Sequence, residues 1–378
     1  MSLQESDAVR LRLALGLAAD AIGLSEPNPR VGCVLASADG RVLGTGSTQE
    51  AGGAHAEVMA LRAASGHTLR GATAWVTLEP CSHHGRTPPC AEALLAAGIA
   101  RVVVAVADPN PLVAGQGIER LRAAGVEVVL ADPESDIARD ARELNIGFFS
   151  RILRARPWVR MKIAASLDGR TALLNGASQW ITGPAARADG HAWRKRGGAV
   201  LSGIGTVLED DPRLDVRLVE TTRQPLRVVI DSRLETPPTA RLLDAPGAVL
   251  IYAATPEAGR RDALEARGAE IELLPGPNGK VDLAAVLADL ARRGVNELHV
   301  EAGHKLNASL LREGLVDELL VYLAPKLLGI GREMAAFGPL QSLAEALAFE
   351  FTNVARVGPD LRLLARPPGR TDFLTLQP

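Results

Sequence analysis

Two kinds of hydrophobic pattern alternate along the chain. Apolar runs such as VGCVLA at 31–36 and TAWVTLEP at 73–80 have the length and composition of buried strands. AHAEVMALRAA at 54–64 has the apolar spacing of a helix. A first helix is predicted over Asp7–Leu24, ended by the turn residues of Glu26–Pro29. Strands that alternate with helices predict an α/β sandwich around a largely parallel sheet.

The alternation starts again near residue 157. The segment RILRARP at 151–157 follows a long helical pattern, and the strand pattern WVRMKIAAS at 158–166 begins at once. Near the C-terminal end, residues 352–367 predict two closing antiparallel strands. Because single cores rarely grow beyond roughly 250 to 300 residues, a chain of 378 residues predicts two domains. We assign them to residues 1–150 and 157–378.

Composition narrows the class of protein. The chain is 47% hydrophobic and 23% charged, as globular proteins are, and its net charge of −2 provides no basic surface for nucleic acid. The apolar run at 11–24 is interrupted by Asp20 and is too short to span a membrane. We therefore expect a small-molecule partner and no nucleic-acid or membrane partner. Because three cysteines cannot all pair, we also expect a reducing, cytoplasmic environment. A further expectation is that the chain forms a homo-oligomer.

The stretch EPCSHHGRTPPC at 79–90 holds two of the three cysteines. A disulfide between Cys81 and Cys90 is the minor alternative, because the expected compartment is reducing. His55, at the start of a predicted helix, supplies the imidazole of a site with three zinc ligands. Structural zinc usually has four protein ligands, whereas three leave a position for water. His83 or His84 is the competing fourth ligand.

Glu57, two residues after His55, is a candidate acid/base next to this zinc site. Zinc lowers the pKa of a bound water from about 15.7 towards about 7, and a neighbouring carboxylate can take the proton and return it to a leaving group. His-x-Glu followed by Pro-Cys and a second Cys is the pattern of zinc deaminases. In that pattern two residues separate the cysteines, but here the eight residues SHHGRTPP separate Cys81 from Cys90.

With this long spacing, HAE and TLEPCSHHGRTPPC resemble the deaminase half of the bifunctional riboflavin-biosynthesis deaminase/reductase family. NPRVG at 28–32 and ADPNP at 107–111 resemble two further motifs of that family. The resemblance implies a cytidine-deaminase-like domain with three α/β/α layers. It also implies contacts to the pyrimidine and the ribose phosphate from Asn28, His83, Arg86, Asp108 and Asn110.

Side-chain chemistry agrees with these assignments but does not require them. An asparagine offers a donor and an acceptor to a base edge, and Arg86 carries a permanent charge suited to a phosphate. Asn28 and Asn110, next to prolines, are equally typical turn formers, and Arg86 alone is typical of a solvated loop. Cys33, inside an apolar run, is predicted to be a buried core residue.

The chain also departs from the family pattern. Ser47-Thr48 stands where the family usually has Trp-His, and Ala54 stands where it has a proline. The zinc chemistry does not depend on these positions, but one substrate contact near residue 48 does. Either the Thr48 hydroxyl replaces that contact or the contact is dispensable.

In the second half, polar residues follow predicted strands, where ligand crevices form in α/β sheets. They include Lys162, Asp210, Ser232 and Glu301. Gly303 precedes a predicted helix whose backbone N–H groups suit an anion. The run 194–196, Arg-Lys-Arg, is on its own typical of a solvated helix face. These patterns alone predict a small-molecule pocket with anion recognition.

MKIAASLDGRTA at 161–172 and SQWITG at 178–183, with later motifs in the same order, resemble the reductase half of the same family. The resemblance implies a dihydrofolate-reductase-like α/β domain that uses NADPH. It assigns the nucleotide to Ala164, Trp180, Thr206, Asp210, Ser232, Gly303, His304, Lys305, Leu306, Asn307, Ala308 and Ser309. It assigns the substrate to Ser178, Arg194, Leu214, Arg217 and Glu301, while Lys162 and Asp210 are candidates for polarising or protonating the sugar.

The implied function is two consecutive steps of riboflavin synthesis. Zinc-dependent deamination of 2,5-diamino-6-(5-phosphoribosylamino)pyrimidin-4-one comes first, and NADPH-dependent reduction of the ribosyl group follows. A nucleic-acid deaminase would instead show a basic surface and closely spaced cysteines, and the sequence has neither. A non-enzymatic nucleotide sensor stapled by zinc is the other alternative, and it predicts no turnover.

Overall fold

A computed structural model describes residues 3–82, 89–111 and 113–374. Within these residues the chain forms two compact units that divide after Arg154, and the second unit is Ala155–Arg370. Residues Thr371–Leu374 belong to the first unit, although the sequence had placed all of 157–378 in one domain. In this segment the ring centroid of Phe373 lies 4.7 Å from the Arg154 guanidinium at the end of the first part of the unit. None of the described helices is both long enough and apolar enough to cross a bilayer.

The first unit is an α/β domain whose helices and strands follow the predicted alternation. Its first helix ends five residues before the predicted Leu24, in a series of turns where Gly23 has a φ of 79°. The described elements are α1 (Glu5–Ala19), β1 (Gly32–Ala36), β2 (Val42–Ser47), α2 (Ala56–Ala63), β3 (Thr73–Val76), α3 (Cys90–Ala96), β4 (Arg101–Val104), α4 (Gln116–Ala123), β5 (Glu127–Leu130), α5 (Asp136–Leu144), α6 (Ile146–Arg154) and a 3₁₀ turn at Asp372–Leu374.

The sheet of the first unit is mixed rather than largely parallel. In the described part of the chain its strand order is β2-β1-β3-β4-β5. Strands β3, β4 and β5 run parallel, but β1 is antiparallel to both β2 and β3. Only residues 37–41 join β1 to β2, and a link that short permits a hairpin but not a crossover. The prediction of a largely parallel sheet was wrong for this edge.

Glycines allow helices to approach both faces of this sheet closely. A Cβ at Gly32 would lie 1.9 Å from the carbonyl oxygen of Ala14 in α1, and one at Gly46 would lie 2.4 Å from that of Ala56 in α2. Gly46 pairs with Cys33, the residue after Gly32, so the two glycines face opposite sides of the sheet. The unit therefore has three layers, with α1 and α2 on opposite faces.

The second unit is also α/β. Apolar side chains of its central strands, including Val159, Met161, Leu201 and Leu298, pack with residues from a covering helix into one core. Its described elements are β6 (Trp158–Ser166), β7 (Arg170–Leu173), α7 (Pro184–Arg196), β8 (Ala199–Gly203), α8 (Ile204–Asp210), β9 (Leu226–Ile230), α9 (Arg241–Asp244), β10 (Val249–Ala253), α10 (Ala258–Glu265), β11 (Ala269–Leu273), α11 (Leu283–Arg292), β12 (Glu297–Val300), α12 (His304–Arg312), β13 (Glu318–Ala324), β14 (Gly331–Glu333), β15 (Glu350–Val357) and β16 (Asp360–Arg366), with 3₁₀ turns at Pro277–Gly279 and Leu343–Glu345.

Nine of the strands described in this unit form one sheet in the order β11-β10-β9-β8-β12-β6-β13-β16-β15. The strands from β11 to β13 are parallel throughout. Strands β16 and β15 close the sheet in antiparallel pairing, which confirms the prediction made from residues 352–367. A separate small sheet pairs β7 with β14. The carboxyl ends of neighbouring parallel strands therefore lie along one edge.

The opposite, amino-terminal edge carries a row of buried charges. Arg160 lies between two glutamates. Its Nη1 donates to Oε2 of Glu297 at 2.7 Å, and its Nε donates to Oε2 of Glu318. Arg196 and Arg366 extend the row by donating to Glu297 and Glu318, respectively. Removing one member of such a buried network typically costs about 3–5 kcal/mol. The interpretation of 194–196 as a solvated face is wrong for Arg196, whose guanidinium has this partner.

Candidate functional sites

The start of α2 places two functional side chains together. His55 is the residue just before the helix, with φ −75° and ψ 165°, and Glu57 is the second residue of the helix and only 3% exposed. Because Gly46 lets α2 approach β2 at Ala56, backbone packing sets the position of this helix start. The chemistry of the site thus depends on a glycine in the neighbouring strand.

His55, Cys81 and Cys90 form a cluster suited to zinc. Cys81 follows β3 and Cys90 begins α3, and the three ligand atoms all lie within 4.8 Å of one another. The Nδ1 atom of His55 is 3.6 Å from Sγ of Cys81 and 3.3 Å from Sγ of Cys90. Tetrahedral zinc with ordinary bond lengths separates nitrogen and sulfur ligands by about 3.5 Å. The donor set and its spacing therefore fit zinc.

The two thiols perturb each other strongly. Hydrogen bonding from Cys90 lowers the pKa of Cys81 to about 4. The same interaction with Cys81, together with burial, raises the pKa of Cys90. A first thiolate therefore forms readily, and the second negative charge is resisted until a cation is present. This is the electrostatic behaviour expected where a divalent metal binds two thiolates.

Glu57 is the buried acid beside this cluster. Burial and the negative charge of Cys81 raise the pKa of Glu57 to about 7. A carboxyl group with a pKa near the working pH can both accept and release a proton during a reaction. The arrangement is the one that proton transfer next to a metal requires.

His55, Glu57 and Cys81 line a cavity of about 600 Å³. This is within the range of about 300–1,000 Å³ usual for small-molecule sites. The structure brings three of the predicted substrate residues, Asn28, Asp108 and Asn110, into the wall of the same cavity. His83 and Arg86 lie outside the described residues. The sequence did not predict roles in the wall for Glu79, Phe148, Arg151 and Ile152.

Glu79 organises the loop that carries Asp108. One carboxylate oxygen of Glu79 accepts backbone N–H groups from Asp108 (3.1 Å) and Gly115 (3.0 Å). The other accepts those of Gly117 (2.9 Å) and Ile118 (3.2 Å) at the start of α4. Glu79 is two residues before Cys81, so one strand end connects the metal cluster to this loop. Its position after a buried strand was the available signal, but its partners are distant in sequence.

Thr48 and Cys33 are both buried in this unit. The Thr48 hydroxyl accepts the backbone N–H of Val31 at 3.1 Å, while Thr48 also borders the cavity. Its hydroxyl therefore has a structural partner, which favours the alternative that the substrate contact near residue 48 is dispensable. Cys33 is fully buried in β1, which confirms its prediction as a core residue, and burial raises the pKa of its thiol.

The second site is built around Glu301, the residue after β12. Its Oε2 is 3.0 Å from Nη2 of Arg194 and 3.6 Å from Nζ of Lys162. Nε2 of His299 is 3.2 Å from Oε1. Burial alone would raise the pKa of Glu301, but the charges of Arg194 and Lys162 hold it well below its ordinary value. Three predicted residues thus meet, and Arg194 is not the solvated charge that its run suggested.

A loop carrying Leu214 and Arg217 approaches this group through Arg194. The Nη1 atom of Arg194 donates to the carbonyl oxygen of Asp215 at 2.8 Å, and Nη1 of Arg217 is 2.6 Å from Oδ1 of Asp215. Nδ1 of His191 accepts the backbone N–H of Arg217 at 3.2 Å. Leu214 is buried with a φ of 54°. The predicted substrate residues Arg194 and Arg217 therefore both contact Asp215, Arg194 at the backbone carbonyl and Arg217 at the side-chain carboxylate.

The predicted nucleotide residues follow adjacent parallel strands. Ser232 follows β9, Thr206 lies in α8 directly after β8, Gly303 follows β12, and Ala164 is near the end of β6. Since β9, β8, β12 and β6 are neighbours, these residues share the carboxyl edge of the sheet. An added Cβ on Gly303 would lie 3.5 Å from Oγ1 of Thr206. The fold thus brings the two segments together.

The remaining predicted residues differ in how they are exposed. Trp180 is 62% exposed with the Arg187 guanidinium 4.5 Å from its ring centroid, and Ser178 lies in the loop after β7. Burial raises the pKa of Asp210, which ends α8. The predicted segment 303–309 forms the start of α12. In it His304, Lys305, Leu306 and Ser309 are at least partly exposed, whereas the side chains of Asn307 and Ala308 are buried.

Two protein-family models match the chain. Residues 4–106 match the cytidine and deoxycytidylate deaminase zinc-binding region, and residues 157–363, more than half of the chain, match the RibD C-terminal domain. The chain belongs to the RibD family of riboflavin biosynthesis proteins. The RibD protein of Escherichia coli K12 is 45% identical over 370 residues, covering 94% of this chain and 98% of that protein. The Aquifex aeolicus RibD protein is 42% identical over 359 residues, covering 95% and 98%.

Solved RibD structures share the fold over nearly the whole length. Acinetobacter baumannii RibD, form 1, superimposes with a TM-score of 0.87 at 40% identity, covering 96% of this chain and 99% of that one. The Thermotoga maritima deaminase/reductase does so with a TM-score of 0.85 at 32% identity, covering 96% and 99%. The family and the fold class predicted from the sequence, a cytidine-deaminase-like domain and a reductase domain, are confirmed. The chain is a bifunctional enzyme of riboflavin biosynthesis, with a zinc-binding deaminase domain and a reductase domain that implies a nicotinamide cofactor.

Proposed function

We propose that the chain converts 2,5-diamino-6-(5-phosphoribosylamino)pyrimidin-4-one to 5-amino-6-(5-phosphoribitylamino)uracil in two steps. The observation that carries the proposal is the cluster of His55, Cys81 and Cys90, since His55 and Cys81 line one cavity together with the buried Glu57. The Thermotoga maritima relative, described as a deaminase for the diaminohydroxyphosphoribosylaminopyrimidine and a reductase for the aminouracil, supports this choice of substrates.

In the deaminase step, His55, Cys81 and Cys90 would hold zinc, which when bound would supply a water nucleophile of lowered pKa. Glu57 takes a proton from that water as its oxygen adds to the amino-bearing carbon of the pyrimidine. Glu57 then gives the proton to the amino group, which leaves as ammonia, and the second water proton moves from the added oxygen to the ring nitrogen, so that a ring carbonyl remains. The residues proposed to hold the pyrimidine and ribose phosphate are Asn28, His83, Arg86, Asp108 and Asn110.

In the reductase step, NADPH is the proposed hydride donor, and the hydride goes to the ribosyl C1 carbon as the sugar opens. Lys162 and Asp210 are the proposed groups that polarise or protonate the sugar oxygen. Glu301 keeps Arg194 and Lys162 close together, and both cations suit a phosphate or an oxygen that gains negative charge. The side chains of Asn307 and Ala308 are buried, and the backbone N–H of Asn307 donates to the carbonyl oxygen of Gly303. The proposed contact to the nucleotide is therefore made by the first residues of this segment.

Both steps can be tested on one preparation of the protein by supplying the diamino substrate. Ammonia release is followed with and without NADPH, and NADPH oxidation is followed separately with the diamino substrate and with the deaminated one. We expect ammonia without NADPH, and oxidation of NADPH only after deamination. Oxidation of NADPH by the diamino substrate with no ammonia released would contradict the order. Replacing NADPH by NADH tests the cofactor, and the homo-oligomer stays a prediction for solution measurements.

A further inference from the structure

Residues 211–217, which follow α8 in the second unit, form an irregular segment outside any helix or strand. Side chains from elsewhere in the unit hold three of its backbone groups. The Nη1 atom of Arg194 donates to the carbonyl oxygen of Asp215. Gln224 accepts the backbone N–H of Val216 at 2.7 Å and donates to its carbonyl oxygen at 2.8 Å. Since buried backbone groups need hydrogen-bond partners, side chains rather than strand pairing set the course of this segment.

His191 holds the next backbone group of the segment. Its Nδ1 atom accepts the N–H of Arg217 at 3.2 Å. His191 is buried and lies on α7, three residues before Arg194, so one face of this helix contacts the segment at two points. Burial, together with the charges of Arg194 and Arg217, lowers the pKa of His191 to about 4. The imidazole is therefore neutral near pH 7, which allows Nδ1 to act as an acceptor.

The side chain of Arg217 lies where positive charge exceeds negative charge. The buried carboxylate of Asp215 has two guanidinium partners, Nη1 of Arg217 at 2.6 Å and Nε of Arg213 at 2.9 Å. One carboxylate balances only one of these charges, and the Arg217 side chain is 45% exposed. A partly exposed guanidinium beside a second one suits a phosphate. Because this side chain reaches solvent, its position depends on the backbone contact that His191 makes.

We propose that His191 is a positioning residue of the reductase site, which holds Arg217 so that its guanidinium binds the phosphate of the substrate. This inference rests on the proposed function, which supplies the phosphorylated substrate and places Arg217 among its contacts. His191 acts through the backbone of Arg217 and not on the reacting atoms. Because the phosphate takes no part in the hydride transfer, loss of this contact raises KM and changes kcat little.

The test compares His191→Asn, His191→Gln and His191→Leu with the wild type, using the full chain. Asparagine places its oxygen where Nδ1 lies, glutamine carries the oxygen one bond further out, and leucine has no acceptor. NADPH oxidation is measured with the deaminated substrate and with the corresponding riboside that lacks the phosphate. Loss of one hydrogen bond corresponds to about a 2- to 10-fold change. We expect KM for the phosphorylated substrate to rise by that factor in His191→Leu and His191→Gln, and to stay near wild type in His191→Asn.

The two amides are matched controls for each other, because they share one chemistry and differ in where the oxygen lies. A general packing role of His191 would affect both amides alike, and it would raise KM for the riboside as much as for the phosphorylated substrate. Either result, or an unchanged KM in His191→Leu, would overturn the proposal. Ammonia release is measured on the same samples and should equal that of the wild type. Should His191→Leu fail to fold, the two amides decide the question alone.

Hydrogen exchange separates this inference from the proposed function. Exchange of the backbone amides of residues 213–218 is followed by mass spectrometry without substrate. We expect faster exchange in His191→Leu and His191→Gln than in the wild type and His191→Asn, because the Arg217 N–H has lost its acceptor. If the wild type oxidises no NADPH with the deaminated substrate, the proposed function fails, and the exchange still decides whether His191 holds Arg217. Equal exchange in all four proteins would reject the contact and the proposal with it.

Discussion

Two glutamates, Glu57 in the first unit and Glu301 in the second, are both withdrawn from solvent but have opposite acid strengths. Glu57 is 3% exposed, and burial with the nearby Cys81 thiolate raises its pKa to about 7. The Glu301 side chain is 15% exposed, and Arg194 and Lys162 outweigh burial to hold its pKa well below the ordinary value. Burial raises both pKa values, so it is the sign of the neighbouring charges that makes the two glutamates differ.

The difference separates two uses of one residue type. A carboxyl group that titrates near neutral pH can carry a proton from one atom to another. A carboxylate that stays ionised instead holds cations in place and balances their charge. Glu57 is therefore expected to act on protons, and Glu301 is expected to act through Arg194 and Lys162. Each role can be tested in the same chain, since the other activity serves as an internal control.

The largest effect is expected from loss of the metal ligands. Cys81→Ser removes one of the thiolates, so bound zinc and ammonia release should fall below detection, while NADPH oxidation with the deaminated substrate continues. Metal content and both activities are measured on the same sample. Cys33→Ala is the matched control, because Cys33 is a buried thiol outside the cluster. Full zinc occupancy in Cys81→Ser would refute the ligand assignment.

Glu57→Gln should have the next largest effect. The amide retains the shape of the side chain but cannot carry the proton, and general acid–base catalysis typically contributes about 10²–10⁴-fold. We expect kcat for ammonia release to fall within that range, with zinc content and reductase activity unchanged. Turnover near the wild-type rate would show that another group moves the proton.

Glu301→Gln should have the opposite effect from Glu57→Gln: reductase activity should be lost and ammonia release kept. Without the carboxylate charge, Arg194 and Lys162 repel each other, and kcat/KM for NADPH oxidation should fall by about 10- to 100-fold. Ammonia release should stay at the wild-type rate. Glu265→Gln is the control, because Glu265 forms an exposed ion pair with Arg261 on α10. A loss of ammonia release as large as the loss of reductase activity would indicate general misfolding instead.

The smallest effect concerns stability against pH. The folded state lowers the pKa of Glu301, so its stabilising contribution is fully present above the ordinary glutamate pKa of about 4.3 and is lost as the pH falls through the lowered value. The free energy of unfolding of wild type and Glu301→Gln should therefore differ most near neutral pH and converge in acid. Denaturant unfolding at several pH values measures this difference. If the difference in the free energy of unfolding between the two proteins grew as the pH fell, the lowered pKa of Glu301 would be contradicted.

The sequence predicted the features that depend on local patterns. His55, Glu57, Cys81 and Cys90 are recognisable because metal and proton chemistry require particular residue types at short spacings, and the structure assembles them as a cluster. The closing strands β15 and β16 were also predictable from a local pattern, the alternation of apolar and polar residues along 352–367. These residues lie at the starts of two helices and after one strand, so the local elements alone bring them close together.

Features that depend on distant partners were missed. Glu79 looked like an ordinary residue before Pro80, and its role appears only when the loop of Asp108 and the start of α4 fold against it. Arg151 belongs to a helix without a motif, and only packing brings it to the cavity. The Arg160 network requires three strands in register. His83 and Arg86, predicted within the long spacing of the cysteines, stay predictions.

The return of Thr371–Leu374 to the first unit has a consequence for how this protein can be divided. In the order of the chain, the second unit is an insertion within the first. A fragment that stops at Arg154 contains the whole metal cluster, but it lacks the Phe373 ring that faces the end of the helix bearing Arg151. During synthesis, when domains generally fold from the N-terminus, residues up to Arg154 leave the ribosome before the second unit, and Phe373 leaves it afterwards.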